Sequence, residues 1–253
     1  MKVIIPMAGH GSRFSVAAHL NPEFKKPKPL INVLGKPMIN WAIDSLSSFN
    51  LTPNDFIFVT LKQHQLEPKL KSLFSPKIQV ISISKATRGA AETALIAAKT
   101  VDPNEDIIIS DSDHYFNGQI FCQTIKNKDS DTVGVIPVDT PIDNEIKHSY
   151  SLAPDNKYAI KIAEKDPVLA AQGAYSNIGA YYFSKAKTFV DQVENMIKKN
   201  LVSGPQGKQE FYVAPIYQRL LDQGKKVQIA VTKQAWRLGT PADLDYFLSS
   251  YHR

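Results

Sequence analysis

The 253-residue chain has one cysteine, Cys122, so an intramolecular disulfide and any cysteine-built metal cluster are excluded, and a reducing, cytoplasmic setting is expected. No apolar run reaches the roughly 18 residues that a membrane-spanning helix needs. The chain enters directly as an apolar strand, without the basic, apolar and small-residue segments of a signal peptide, so none is expected. Gly/Ser-rich linkers, internal repeats and low-complexity tracts are absent. Residues 1–253 therefore read as one domain, with a nucleotide-binding half over about 1–130 and an acceptor-binding half over about 131–253. No nucleophile elbow occurs, and the histidines at 10, 19, 64, 114, 148 and 252 form no zinc-ligand pattern. Charge of one sign is in modest excess, with 30 Lys+Arg against 24 Asp+Glu and a pI near 9.2. The basic residues are spread along the chain. Clusters such as Lys25-Lys26, Lys198-Lys199 and Lys225-Lys226 lack the interleaved aromatics of a single-strand binding surface. No nucleic-acid or membrane partner is expected; a nucleotide satisfies the same charge.

What is present begins at the N-terminus. Val3-Ile4-Ile5 reads as a buried strand that leaves through Pro6 to Phe14, PMAGHGSRF. Without a Cβ at Gly9 and Gly11, successive backbone N–H groups can face one concavity that suits phosphate oxygens. Arg13 adds a planar fork of donors beside it. Gly-x-Gly alone is more often an ordinary turn, and only context alters that reading. Asn21–Lys28 is a Pro/Lys-rich loop, followed by a short strand or extended turn and a helix over Met38–Phe49. Strands over 56–61, 78–82 and 106–110 alternate with helices over 66–74 and 90–98. This alternation predicts an open parallel sheet covered on both faces, with ligands at the carboxyl ends of its strands. Beyond Asp131, strands over 132–138, 149–152, 159–163, 179–183 and 227–231 predict a mixed sheet, with helices over 189–199, 213–221 and 243–251.

Asp111-Ser112-Asp113 directly follows the strand Ile107–Ser110. Carboxylates at a strand end, opposite a phosphate cradle, can hold Mg²⁺ through oxygen while phosphates complete its octahedron. An isolated Asp-x-Asp is more often an exposed turn; paired with the glycine turn, it becomes a candidate metal site.

These segments carry a family resemblance. PMAGHGSRF, KPKPLINVLGKPMI, SDSDHYFNG, AEKDP at 163–167 and WRLGTPADL at 236–244 resemble, in that order and over nearly the whole chain, the sugar-phosphate nucleotidyltransferases. The resemblance implies an α/β, Rossmann-like open mixed sheet with helices on both faces, a GT-A-like nucleotidyltransferase fold. It implies that Ala8, Gly9, Gly11 and Ser12 lie against a nucleoside triphosphate, with Arg13 and Lys28 on its phosphates. Ser84 and Gly89 would meet the base, Asp113 would ligate Mg²⁺ with Asp111 as accessory carboxylate, and Glu164 and Lys165 would receive a small phosphorylated acceptor. Asn177, Gly179 and Glu210 would line the rest of that pocket. Arg13, Lys28 and Lys165 form the implied catalytic set. Arg237 departs from the pattern: family members often carry a second metal-binding Asp there, so either Asp113 with the phosphates and Asp111 suffices for the metal, or Arg237 has taken another role, such as meeting an acceptor phosphate or carboxylate.

The implied reaction joins a pyrimidine nucleoside triphosphate to a sugar 1-phosphate or another small phosphate, with release of pyrophosphate, for surface polysaccharide or lipid synthesis. The KPKPL segment is similar to the cytidylyltransferase branch, which favours CTP over UTP or dTTP. A glycosyltransferase using a nucleotide sugar and a non-catalytic nucleotide-binding module are the competing expectations. Base, acceptor and oligomeric state, a homo-oligomer included, stay open.

Overall fold

In the first strand, β1 (Lys2–Met7), Ile4 points into one apolar layer while Val3 and Ile5 point into the other. The period of two seen there recurs in the neighbouring strands and makes a sheet covered on both faces. The structure, a computed structural model, describes residues 1–141, 146–207 and 209–252. After β1 come α1 (Ser12–Val16), the hairpin strands β2 (Asn32–Val33) and β3 (Lys36–Pro37), α2 (Met38–Asp44), β4 (Phe56–Leu61), α3 (Glu67–Leu73), β5 (Gln79–Ile83), α4 (Ala90–Ala98) and β6 (Ile107–Ser110). Next are β7 (His114–Phe116), α5 (Gln119–Lys126), β8 (Thr132–Asp139), β9 (Ser149–Leu152), β10 (Lys161–Glu164), α6 (Pro167–Ala171), β11 (Tyr175–Asn177) and β12 (Ala180–Phe183). The last elements are α7 (Ala186–Lys198), α8 (Ala214–Asp222), β13 (Lys226–Val231), β14 (Ala235–Arg237) and α9 (Pro241–Ser250).

Among the described residues, ten strands form the main sheet. β5, β4, β1 and β6 are parallel, as the alternation predicts. β12 then inserts antiparallel between β6 and β8, and β13 joins β8 in parallel. The stretch from Tyr175 to Phe183 follows β8 first as β11 and then as β12. It is interrupted at Ile178-Gly179, where Gly179 takes φ 95°, a conformation costly for any residue with a Cβ.

One face buries Ile4, Ile57, Val59, Ile107 and Ile109 beneath α4, α7 and α8. The other buries Val3, Ile5, Phe58 and Ile108 beneath α2, α3 and α5. Each fully buried aliphatic or aromatic side chain contributes about 1.5–3 kcal/mol of transfer free energy. A third cluster joins Phe14 and Phe24, just after the glycine turn, to Trp41, Trp236, Leu238 and Phe247. It anchors that turn to the C-terminal helix.

Several elements differ from the sequence reading. The helix from Met38 is α-helical only to Asp44 and continues to Ser48 as turns. The Pro/Lys-rich loop holds two short 3-10 turns, Pro22–Lys25 and Lys28–Leu30; a proline can open a helix but not continue one, so Pro27 and Pro29, following Pro22 so closely, keep the helical pieces to single turns. Helix α5 and the three-residue pair β7 and β14 were not anticipated.

Candidate active site

A cleft of about 590 Å³ opens where β1 and β6 end. One wall is the glycine turn. Gly11, at φ 67°, caps α1 in the left-handed region. Gly9 has no atom within 4 Å of where a Cβ would stand, so its backbone faces open space that a ligand can approach. Ala8, Gly9, Gly11, Ser12 and Arg13 all line the cleft. Arg13 makes no hydrogen bond or ion pair among the described residues, yet its charge acts on both Asp111 and Asp113.

Lys28 enters from the 3-10 turn opposite, and its Nζ donates to Asp113 Oδ2 at 2.6 Å. The two carboxylates of the Asp-x-Asp segment behave oppositely. Burial pushes Asp111 up to about 7, and its neighbour Asp113 adds to the rise. Burial acts on Asp113 in the same sense, but the charge and hydrogen bond of Lys28, with smaller help from His114 and Arg13, hold it below the usual carboxylate range.

Each carboxylate has a glycine behind it. A Cβ on Gly179 would stand 2.7 Å from Asp111 Oδ2, and one on Gly239 would stand 2.7 Å from Asp113 Oδ2. Asp111 N–H also donates to Gly179 O at 2.8 Å, and Leu238 N–H donates to Asp113 O at 2.8 Å. The late motif thus packs directly on the candidate metal ligand. Among the described residues no group of three or more His, Cys, Asp and Glu side chains could hold a metal. Two hard oxygen donors set against glycine walls fit a Mg²⁺ ion whose remaining ligands come from phosphate and water.

The cleft continues along residues 86–90. Gly89, at φ 150°, lies where a Cβ would stand 2.5 Å from Phe211 O. Ala91 N–H donates to Phe211 O at 2.9 Å, and Phe211 N–H donates to Arg88 O at 3.0 Å. Thr87 and Thr93, which also line the cleft, bring their hydroxyls to 2.5 Å. Ser84 does not reach the site: it is exposed and lies outside the lining, which begins at Ala86.

Lys165, which follows β10 with φ 53°, and Glu164 stand outside the lining, behind Tyr212. Lys165 Nζ donates to Tyr212 Oη at 2.9 Å and lies 3.7 Å from Glu164 Oε1. Glu210 and Tyr212 line the cleft. Burial pushes Glu164 up to about 7, Lys165 opposes the rise and Glu210 adds to it. Asn177 is buried away from the lining; its Oδ1 accepts from Ser151 Oγ at 2.7 Å, and its Nδ2 has no partner among the described residues. Arg237 also lies away from the cleft. Its guanidinium grips Asp139 through Nη2–Oδ1 at 2.8 Å and Nη1–Oδ2 at 3.2 Å, and donates to Ser176 Oγ at 2.6 Å.

Sequence reasoning missed Tyr212, Thr87 and Asp139. For Tyr212 the available signal was an aromatic residue two positions after Glu210; for Asp139 there was none, since its partner lies 98 residues away.

The site and sheet together define a Rossmann-like α/β protein with a phosphate-sized cradle facing paired carboxylates. The chain belongs to the nucleotidyl transferase family, whose model matches residues 2–248. Its fold is similar to that of a nucleoside-diphosphate-sugar pyrophosphorylase from Vibrio cholerae RC9, with 21% identity, TM-score 0.77 and coverage of 98% of this chain and 100% of the other. It is also similar to the inositol-1-phosphate CTP transferase from T. maritima, with 16% identity, TM-score 0.72 and coverage of 100% and 97%. No curated protein sequence matches the chain.

Proposed function

We propose that the protein transfers a nucleotidyl group from a pyrimidine nucleoside triphosphate, CTP in the first instance, to a small phosphorylated acceptor, releasing pyrophosphate. The observation that carries this reading is the convergence of the glycine turn, Arg13, Lys28 and the Asp111/Asp113 pair in one cleft. An acceptor phosphate is already an anionic nucleophile, so no strong general base is required. The demand is to bring two anions together in line. Residues 8–13 would cradle the triphosphate, Arg13 and Lys28 would take up charge on the departing pyrophosphate, and residues 86–89 would face the base. Lys165, held by Tyr212, would receive the acceptor phosphate. One oxygen of that phosphate attacks the α-phosphorus, and the bond to the β-phosphate breaks. Asp111 and Asp113 would hold Mg²⁺, which when bound screens the phosphates from one another and stabilises the leaving group.

The first half of the chain would then serve the nucleotide and the second the acceptor. The fold is shared with an inositol-1-phosphate CTP transferase and with a putative glucose-1-phosphate thymidylyltransferase, so it accommodates either pyrimidine nucleotide and acceptors that are sugars or not; CTP is put first on the KPKPL segment. A role in surface polysaccharide or lipid synthesis follows if the acceptor is of either kind. Pyrophosphate release measured across CTP, UTP, dTTP, ATP and GTP with a panel of sugar and polyol phosphates tests the reading. Release that depends on a pyrimidine triphosphate and an acceptor supports it. Nucleotide binding without turnover would instead favour a regulatory module, and consumption of a nucleotide sugar without pyrophosphate exchange a glycosyltransferase.

A further inference from the structure

Arg237 stands two residues before Gly239, the wall behind Asp113, and its partner Ser176 stands three residues before Gly179, the wall behind Asp111. We propose that Arg237 is a positioning residue: by clamping β14 to β8 and β11 it fixes the distance between the two glycine walls, and so the gap between the carboxylates. The inference rests on the reading of Asp111 and Asp113 as the metal-holding pair.

Three sets of contacts carry it. On the β14 side, Arg237 is in register with His114, and Leu238 N–H donates to Asp113 O at 2.8 Å, so moving Arg237 moves the backbone of Asp113. On the other side, Asp139 and Ser176 are register partners of β8 and β11, and Ser176 leads through Ile178 to Gly179, whose carbonyl accepts from Asp111 N–H. Between them lies a single guanidinium. It binds both oxygens of Asp139, which also accepts from Ala235 N–H at 3.2 Å, and it binds the Ser176 hydroxyl.

The Arg237 side chain is 16% exposed and that of Asp139 3%. A buried pair gives little net stability compared with apolar residues of similar size; what it supplies here is a planar geometry that a lysine's single ammonium does not reproduce. Arg237 takes no part in lining the catalytic cleft, so its effect on the reaction passes through the walls.

The test uses Mn²⁺ alone as probe, its binding to the full-length protein followed by electron paramagnetic resonance, in wild type, D113N, R237K and D139L/R237M. The double variant removes both charges and avoids leaving Asp139 buried and unpaired. Circular dichroism verifies folding of each variant. Expected is Mn²⁺ binding by wild type, its loss in D113N, and a weakening of about tenfold or more in folded R237K and D139L/R237M, the size that partners of metal ligands usually carry. The Mg²⁺ concentration for half-maximal turnover should rise in parallel while the acceptor KM stays put. Wild-type affinity in both folded Arg237 variants would overturn the clamp, as would a raised acceptor KM with unchanged metal binding. Absence of binding to wild type, or equal binding to D113N, would instead overturn the metal reading on which the clamp rests.

Discussion

Lys28 Nζ lies 2.6 Å from Asp113 Oδ2, so an ammonium stands on the carboxylate that the proposed reaction assigns to a divalent ion. An ion held by Asp113 would compete with Lys28 for its carboxylate, and Lys28 would then turn toward the triphosphate. K28M should therefore bind Mn²⁺ more tightly at pH 9, where Asp111 is ionised, while binding the triphosphate more weakly. Its kcat/KM should fall by about 10²–10³, as for loss of a preorganised charge at a departing group. Isothermal titrations with Mn²⁺ and with triphosphate decide the matter; shifts in the same direction would contradict competition.

Asp111, pushed up to about 7 by burial and by Asp113, holds a proton below that pH which a metal held there would displace. Mn²⁺ affinity should rise as pH climbs through about 7. D111N should flatten that rise and lower affinity at its upper end, as read by titrations between pH 6 and 8.5.

The glycine wall behind Asp113 gives a sharp steric prediction. A methyl group on Gly239 would meet Asp113 Oδ2 at 2.7 Å, and Gly239 does not have the positive φ that strains a side chain at Gly179. G239A should leave thermal unfolding within a few degrees of wild type while lowering metal-dependent turnover by about a hundredfold, the order expected for an ångström-scale misplacement.

Glu164 bears on stability. Burial raises it from 4.5 to about 7, so the folded state holds its proton more tightly than the unfolded chain does. The resulting destabilisation is absent below pH 4.5 and fully present above pH 7. Removing the charge in E164Q should stabilise the protein at pH 8 by up to about 3 kcal/mol and leave it nearly unchanged at pH 4.5. Urea unfolding at the two pH values measures this.

His114 acts in the opposite sense. Burial pulls it down to about 4, Arg237 and Lys28 adding to the drop while Asp113 opposes it, and neither ring nitrogen has a partner among the described residues. The unfolded chain takes up this proton first, so stability is lost as pH falls from 6.5 toward 4, by up to about 3 kcal/mol. H114F, placing a similar ring 5.5 Å from Phe116, should flatten that part of the unfolding-midpoint profile.

The parts of the fold that could be read from sequence are those whose signals are local. Val3 to Ile5 and Ile107 to Ile109 are apolar runs of strand length, and the glycine turn and Asp-x-Asp segment follow them directly. The amphipathic spacing of Phe121, Cys122 and Ile125 in α5 was also local and was passed over. β7 and β14 are different: each is three residues long, and neither is a strand without the other, more than a hundred residues away. The site divides in the same way. Lys28 and Asp113 follow motifs, whereas Arg237's engagement with Asp139 depends on β11 and β14 being brought to the end of β8. Ser84 lies two residues short of Ala86, where this loop enters the cleft lining, and no local signal marks that entry point.

The insertion of β12 between β6 and β8 bears on how the chain is born. β6 is complete at Ser110, but the strand that covers its open edge ends only at Phe183. At a synthesis rate of about 5–20 residues per second, that edge waits several seconds on the ribosome. Meanwhile β8 emerges and could pair with β6 directly, a mispairing that must be undone before β12 can enter. An exposed strand edge of Ile-Ile-Ile-Ser is also an invitation to aggregate. A nascent chain that has not yet released Phe183 therefore carries β6 with that edge uncovered.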